Sequence, residues 1–336
     1  MRNAVFIGEW KGTLGNVYPL PIREKLYGFL NFETDNIISK NEIDEYKDVL
    51  SRAEYAFATW GMSRFTRDEI REYLPNLKAV FYAAGSVQHF VREFLEEGVE
   101  VFSAWAANAV PVAEYTFAEI MLATKGFFQK LHRQHLGDDW SHRRVPVNFP
   151  GNYESKIGII GAGMIGKMVI ERLHTLDNVE ILVFDPFLPD EKARELGVTK
   201  TDLKTLFAES DVISNHLANN PQTVGMLNGE LFSLMQPHAA FINTGRGAQV
   251  VEADMIEALR QVPTRVAILD VTEPEPPAAD SPLYTLDNVF LTPHIAGSMG
   301  NEVHRMAEYM CEECKAYDAG EATRYGVTLK MLETMA

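Results

Sequence analysis

Three glycines with a fixed spacing are the first residues in the sequence whose pattern indicates chemistry. Gly161, Gly163 and Gly166 follow the apolar run Lys156–Ile160 and open a helical pattern that continues to Leu173. In such a turn the first glycine allows the tight bend, the second lets a pyrophosphate approach the backbone, and the third lets helix and strand pack closely. The free N–H groups at the helix start would bind the pyrophosphate. The pattern predicts a dinucleotide-binding turn, with an empty glycine-rich turn as the alternative.

An acidic residue stands where the ribose of a bound dinucleotide would lie. A second apolar run, residues 179–184, is followed by Asp185, about 20 residues past the last glycine, where a carboxylate binds ribose hydroxyls. A 2′-phosphate on that ribose would meet like charge, at a cost on the order of 4 kcal/mol before screening. The next residues, Pro186 and Phe187, supply no arginine to bind such a phosphate. We therefore expect NAD(H) to be preferred over NADP(H).

An arginine, an acid and a histidine follow three later predicted strands. Arg246 comes after the strand 239–244, Glu275 after the strand 266–270 and His294 after the strand 289–292. Because ligands bind at the carboxyl ends of strands in open α/β sheets, we expect these side chains at one edge of the sheet that holds the dinucleotide. Each alone has a structural explanation, as a surface arginine, a loop acid and a capping histidine. The three together beside a cofactor indicate an active site.

Four further motifs give the sequence a family resemblance. Residues 214–218, 242–247, 269–276 and 291–297 read SNHLA, INTGRG, LDVTEPEP and LTPHIAG. With the glycine turn and residues 108–114 (NAVPVAE), they resemble in order and spacing the D-isomer-specific 2-hydroxyacid dehydrogenase family, over nearly the whole chain. That family includes phosphoglycerate, glyoxylate, hydroxypyruvate and D-lactate dehydrogenases. The resemblance implies an NAD(H)-dependent enzyme that interconverts a 2-oxoacid and a D-2-hydroxyacid.

The resemblance also implies a role for each residue of the candidate triad. Arg246 would hold the substrate, since its planar guanidinium matches a carboxylate and an adjacent carbonyl oxygen. His294 would donate a proton to the carbonyl oxygen during reduction and accept it in the reverse direction. Glu275 would accept a hydrogen bond from the other imidazole nitrogen. A positioned acid/base of this kind contributes about 10²- to 10⁴-fold to the rate.

Cofactor and substrate contacts are implied in the same way. The expected cofactor-binding residues are Gly161, Gly163, Met164, Ile165, Gly166, Asp185, His216, Thr244, Gly245, Asp270 and Gly297. The backbone N–H groups of Gly85 and Ser86 are expected to bind the substrate together with Arg246. Trp60 is a candidate wall of the substrate pocket, although simple packing explains it equally well. The loop 83–87 lacks the family's aspartate, and Tyr115 stands where the family often has histidine, so the substrate stays unspecified.

Strands and helices alternate along the chain, which predicts an α/β protein with two doubly wound parallel-sheet domains. Residues 1–108, completed by residues 300–336, are expected to form a flavodoxin-like substrate-binding domain. Residues 109–299 are expected to form a Rossmann cofactor domain inserted into it. A long helix over residues 112–136, with Pro111 in its first turn, is apolar on more than one face. It is our candidate homodimer interface, since the family usually dimerises through its cofactor domains.

Composition excludes several classes of partner. The 336 residues carry a formal net charge of −16, so a phosphate backbone, and with it nucleic acid, is an unexpected partner. No apolar run reaches transmembrane length and the N-terminus is not a signal peptide, so we expect a cytoplasmic protein with no membrane partner.

Cys311 and Cys314 are expected to be reduced thiols on a helix. His132, His135 and His142 have no carboxylate or thiolate to complete a set, so we expect no metal site.

The resemblance leaves two alternative functions. An NAD(H)-sensing, corepressor-like binding protein on the same fold can retain all three candidate residues, so they do not exclude it. The compact length and the lack of extra tails favour an enzyme. Formate dehydrogenase is disfavoured, because that branch of the family has glutamine where this chain has Glu275.

Overall fold

The computed structural model describes residues 1–135 and 149–333. The chain divides into two compact units, one made of Met1–Ala109 with Ser298–Ala336 and the other of Val110–Gly297. The strands, in chain order, are β1 (Arg2–Ile7), β2 (Leu30–Ile38), β3 (Tyr55–Ala58), β4 (Ala79–Tyr82), β5 (Glu100–Ser103), β6 (Lys156–Ile160), β7 (Glu180–Phe184), β8 (Thr199–Lys200), β9 (Val212–Asn215), β10 (Ala240–Asn243), β11 (Val266–Leu269), β12 (Val289–Leu291) and β13 (Gly326–Val327).

Helices separate most of these strands. The α-helices are α1 (Lys11–Val17), α2 (Leu20–Tyr27), α3 (Lys47–Arg52), α4 (Arg67–Tyr73), α5 (Val91–Glu96), α6 (Trp105–Thr124), α7 (Phe127–His135), α8 (Met164–Leu173), α9 (Asp190–Glu195), α10 (Leu203–Glu209), α11 (Gly229–Leu234), α12 (Glu252–Gln261) and α13 (Glu302–Asp318). Short 3-10 helices lie at Lys40–Glu42, Gly247–Gln249, Pro282–Tyr284 and Met331–Glu333.

The first unit is built on a sheet with the strand order β2-β1-β3-β4-β5-β13. The strands β1 to β5 are parallel, and their order is that of flavodoxin-like folds, as predicted. The C-terminal segment adds β13, which pairs antiparallel with β5 at the sheet edge. Successive residues of β1 alternate between two cores: Val5 packs with the side chains of α3 to α5, and Phe6 packs with those of α1, α2 and α13.

The second unit has the strand order β8-β7-β6-β9-β10-β11-β12, and its strands are parallel throughout the described residues. This is the Rossmann order 3-2-1-4-5-6 with one further strand, which confirms the predicted fold class. Ile159 and Ile160 of β6 face opposite cores, so helices cover both sides of the sheet. The order reverses between β6 and β9, and the carboxyl ends of these strands are the expected ligand-binding edge.

The predicted single helix over residues 112–136 is wrong. Helix α6 begins earlier, at Trp105, so that Pro111 lies inside it rather than in its first turn. It ends at Thr124, and α7 follows from Phe127. Gly126 between them has a φ of +65°, and a glycine in this left-handed conformation is a common helix terminator. Leu136 and most of the predicted loop 137–153 lie outside the described residues.

No helix within the described residues is long and apolar enough to span a membrane. In the same part of the chain, no group of three or more histidine, cysteine, aspartate or glutamate side chains is arranged to hold a metal ion. Cys311 and Cys314 are free, buried thiols in α13, and burial raises the pKa of Cys311 to about 12. His142 lies outside the described residues.

Candidate active site

The glycine turn after β6 is sterically tight at Gly161 and Gly166. Gly161 has a φ of +91°, and a Cβ there would lie 2.8 Å from the carbonyl oxygen of His216. A Cβ on Gly166 would lie 2.0 Å from the carbonyl oxygen of Gly161, so the helix α8 can approach the turn only through a glycine. Gly163, by contrast, is exposed, and a Cβ on it would meet no atom within 4 Å beyond its chain neighbours. The backbone is therefore tightly packed at Gly161 and Gly166, whereas Gly163 faces open space at the N-terminus of α8. This arrangement fits a dinucleotide whose pyrophosphate lies at Gly163.

Asp185 is fixed beside this turn by two backbone groups. The N–H of Ala162 donates to its Oδ2 and the N–H of Phe187 donates to its Oδ1, both at 2.8 Å. Each carboxylate oxygen keeps further acceptor capacity for a ribose hydroxyl. The residue thus stands at the end of β7 with its carboxylate pre-oriented toward the glycine turn, which fits the predicted ribose contact.

His294 and Glu275 form a direct pair. Nδ1 of His294 lies 2.7 Å from Oε1 of Glu275. The two side chains are 45% and 42% exposed, so the pair stands at the surface of its unit. Because Glu275 engages Nδ1, Nε2 is the imidazole nitrogen available for proton exchange with a ligand.

The backbone of His294 is held in an uncommon conformation by Asp270. Its φ is +54°, which for a non-glycine residue costs about 1–3 kcal/mol. The His294 N–H donates to the carbonyl oxygens of Asp270 and Thr292, each at 3.0 Å. The Asp270 carboxylate accepts from the Thr292 hydroxyl (2.7 Å) and from the N–H groups of Ile295 (2.8 Å) and Ala296 (2.9 Å). Asp270, which is 4% exposed, anchors the loop that presents the histidine.

Arg246 follows β10 in the same unit. Its Nη1 donates to the carbonyl oxygen of Gly245 at 2.7 Å. Burial lowers the pKa of the guanidinium, and the carboxylate of Glu275 acts in the opposite direction. Gly247 contacts the next loop so closely that a Cβ there would lie 1.9 Å from the carbonyl carbon of Thr272. The loops after β10 and β11 therefore bring Arg246 near Glu275, and a partly desolvated arginine there suits an anionic ligand.

Two residues of α6, Tyr115 and Glu119, lie near Asp270. The Tyr115 hydroxyl lies 3.0 Å from the Thr292 hydroxyl, which in turn donates to Asp270. Glu119 is only 9% exposed, and its Oε2 has no hydrogen-bond partner. Burial raises the pKa of Glu119 to about 8, the Tyr115 hydroxyl opposes this, and the charge of Asp270 adds to it. We did not predict a role for Glu119, and the only signal for it in the sequence is a carboxylate on a largely apolar helix.

The remaining cofactor candidates lie along the same sheet edge. His216 follows β9, and its Nε2 lies 2.9 Å from the Ser214 hydroxyl, while its buried Nδ1 has no partner. Burial lowers the pKa of His216 to about 4, so its ring is neutral at pH 7. The Thr244 hydroxyl lies 3.0 Å from that of Thr116. Four further cofactor candidates lie in the same unit. Met164 is exposed and Ile165 is partly buried, both at the start of α8. Gly245 is buried beside Arg246, and Gly297 follows the loop of His294.

The predicted substrate-binding residues Trp60, Gly85 and Ser86 belong to the first unit. Trp60 follows β3 and packs, partly buried, against both cores of that unit. Gly85 and Ser86 follow β4, and the carbonyl oxygen of Gly85 accepts from the Ser103 hydroxyl at 2.8 Å. All three stand at the carboxyl ends of strands, where ligands of such sheets bind.

Comparison with known proteins identifies the relatives of this chain. The family model described as D-isomer specific 2-hydroxyacid dehydrogenase, NAD binding domain, matches residues 118–296. The chain is 31% identical over 267 residues to the D-3-phosphoglycerate dehydrogenase of Archaeoglobus fulgidus, covering 79% of this chain and 50% of that protein. It is 32% identical over 256 residues to the glyoxylate reductase of Korarchaeum cryptofilum, covering 75% and 76%.

A solved structure shares the fold. It is the NAD complexed form of a D-isomer specific 2-hydroxyacid dehydrogenase from Lactobacillus delbrueckii ssp. bulgaricus, with a TM-score of 0.79 at 20% identity, covering 98% of this chain and 100% of that chain. The chain spans about half the length of the D-3-phosphoglycerate dehydrogenases that it matches.

Proposed function

The chain belongs to the D-isomer specific 2-hydroxyacid dehydrogenase family, and on this basis we propose that it interconverts a 2-oxoacid and a D-2-hydroxyacid with NAD(H). The observation that carries the proposal is the contact of 2.7 Å between His294 and Glu275. This pair lies in the same unit as Arg246 and the glycine turn. A dinucleotide turn, an acid/base pair and an anion-binding arginine are the groups that this reaction requires.

The residues would divide the chemistry as follows. The guanidinium of Arg246 binds the substrate carboxylate and polarises the adjacent carbonyl group. His294 donates a proton from Nε2 to the carbonyl oxygen during reduction, and Glu275 holds the ring through Nδ1. The nicotinamide, when bound, supplies the hydride that reaches the carbonyl carbon. In the oxidation direction, His294 accepts the hydroxyl proton at the same nitrogen.

We propose NAD(H) as the preferred cofactor. The support is Asp185, whose carboxylate is held beside the glycine turn by Ala162 and Phe187. Met164, Ile165, His216, Thr244, Gly245, Asp270 and Gly297 remain proposed cofactor contacts. Gly85, Ser86 and Trp60 remain proposed substrate contacts, each to be tested by substitution.

We also propose a homodimer formed through α6 and α7. These helices carry two apolar side chains that are 40% exposed, Leu122 and Phe127. Exposed apolar residues of this size on neighbouring helices suit an interface between two copies of the chain.

The test of the proposed activity is NADH oxidation with a panel of 2-oxoacids, from glyoxylate and hydroxypyruvate to branched and aromatic ones. We expect turnover with at least one of them, and a loss of kcat/KM of about 100-fold or more in Arg246→Ala, because a buried charge contact to the substrate disappears. Arg260→Ala is the matched control, since Arg260 is exposed on α12. NADH binding without turnover of any 2-oxoacid would contradict the proposal and favour a cofactor-sensing protein.

A further inference from the structure

Three buried amide side chains cluster behind Arg246. Asn215 ends β9, Asn243 ends β10, and Gln249 ends the 3-10 helix that follows Arg246. None of the three is more than 1% exposed. Amides are costly to bury unless their donors and acceptors are bonded, so such a cluster must be held together by hydrogen bonds.

The three amides are bonded to one another through Asn215. Its Nδ2 donates to Oδ1 of Asn243 at 3.0 Å and to Oε1 of Gln249 at 2.6 Å. Both donor hydrogens of Asn215 are thereby used, and the carboxyl ends of β9 and β10 are linked by side chains far apart in sequence. Hydrogen bonds in such a buried network strengthen one another.

The remaining bonds of the cluster hold the peptide groups around Arg246. The Gly245 N–H donates to Oδ1 of Asn243 (3.1 Å), and Nδ2 of Asn243 donates to the carbonyl oxygen of Arg246 (3.1 Å). The Arg246 N–H donates to Oε1 of Gln249 (3.2 Å). Every backbone polar group from the Gly245 N–H to the Arg246 carbonyl is therefore engaged, since the Gly245 carbonyl accepts from the arginine side chain itself.

The cluster also holds the loop after β9. Nε2 of Gln249 donates to the carbonyl oxygen of Leu217 (2.8 Å), and the Leu217 N–H donates to Oδ1 of Asn215 (3.2 Å). Leu217 directly follows His216, whose carbonyl oxygen lies against Gly161. The same amides thus connect the arginine loop to the chain segment beside the glycine turn.

We propose that Asn215, Asn243 and Gln249 are positioning residues that fix the backbone of Arg246 and thereby aim its guanidinium at the substrate carboxylate. The inference rests on the substrate role proposed for Arg246. The positioning role requires side chains that both donate and accept hydrogen bonds. An amide does so, whereas an ionised carboxylate only accepts and an aliphatic side chain does neither. Gln249 is the most direct test, because it holds the Arg246 N–H without belonging to β9 or β10.

The experiment compares Gln249→Met, which keeps the length of the side chain and removes its polar atoms, with Gln261→Met on the exposed end of α12. We expect the KM for the 2-oxoacid to rise about 10- to 100-fold in Gln249→Met, as small misplacements of binding groups do. The kinetics of Gln261→Met should stay within about twofold of the wild type, because Gln261 bonds to Glu257 of its own helix and not to the loop of Arg246.

A folded, soluble Gln249→Met enzyme with the wild-type KM would overturn the inference. If that variant does not fold, amide exchange in the wild-type protein decides instead. The peptide containing Gly245 and Arg246 should then exchange as slowly as β10, and rapid exchange would contradict the proposed role. Different results would contradict the two proposals. A wild-type protein that turns over no 2-oxoacid contradicts the proposed function. Loss of activity in Arg246→Ala together with a wild-type KM in Gln249→Met contradicts only the positioning role.

Discussion

Glu119 is a buried carboxyl group whose protonation affects the stability of the second unit. Its pKa is raised from 4.5 to about 8, chiefly by burial. Between these two values the unfolded chain loses its proton while the folded protein keeps it, so the free energy of unfolding falls as pH rises. The contribution present below pH 4.5 is lost by about pH 8, and it is on the order of 4–5 kcal/mol in total.

We therefore predict that Glu119→Gln, which resembles the protonated carboxyl group, flattens this dependence. Urea unfolding between pH 5 and pH 9 measures it. Glu171→Gln, on the exposed face of α8, is the control and should retain the wild-type slope. Identical pH profiles for Glu119→Gln and the wild type would show that Glu119 is ionised in the folded protein.

The sequence patterns predict the candidate catalytic residues but not the buried amides behind Arg246. Arg246, Glu275 and His294 could be predicted because each lies in the loop after an apolar run, and the structure places His294 and Glu275 in contact. Asn215 and Gln249 carry no such signal, because their bonds join residues that are distant in the chain. A buried hydrogen-bond network depends on the packing of strands and loops, which local patterns do not contain.

At the scale of elements, the strand β7 and the glycine turn are joined by Asp185. Replacing it with serine removes the negative charge and both carboxylate acceptors. We predict that Asp185→Ser lowers the preference for NADH over NADPH by about tenfold or more, since the repulsion of a 2′-phosphate disappears. The ratio of kcat/KM for the two cofactors measures the effect.

Two further variants serve as controls in that experiment. Asp185→Asn retains one acceptor oxygen and should shift the preference in the same direction. Asp177→Ser, at an exposed position before β7, should leave it unchanged. An unaltered cofactor preference in Asp185→Ser would show that Asp185 does not bind the ribose.

Most elements of the second unit could be predicted, because β6, β10 and β11 are largely buried apolar runs. The glycine turn follows β6, Asn243 ends β10 and Asp270 follows β11. The break between α6 and α7 could not, since Phe127 and Phe128 continue the apolar pattern past Gly126. The strands β8 and β13 have two residues each and form only because a neighbouring strand pairs with them. Such short pairings have no periodicity of their own.

At the scale of the whole molecule, the proposed homodimer gives a direct prediction. Light scattering should show a mass close to twice the 37.8 kDa of one chain. Leu122→Asp or Phe127→Asp should shift the protein toward the monomer, because a buried, unpaired charge at an interface is strongly unfavourable. Leu234→Asp, at a position of α11 that is 38% exposed, is the control. A monomeric wild-type protein would contradict the dimer.

The central claim is that His294 exchanges the proton with the substrate, and the rate of 2-oxoacid reduction by His294→Gln tests it most directly. We predict a loss of kcat/KM of about 10²- to 10⁴-fold relative to the wild type, with NADH binding retained because His294 is not placed at the glycine turn. A His294→Gln enzyme that reduces the same 2-oxoacid at nearly the wild-type rate would contradict the claim.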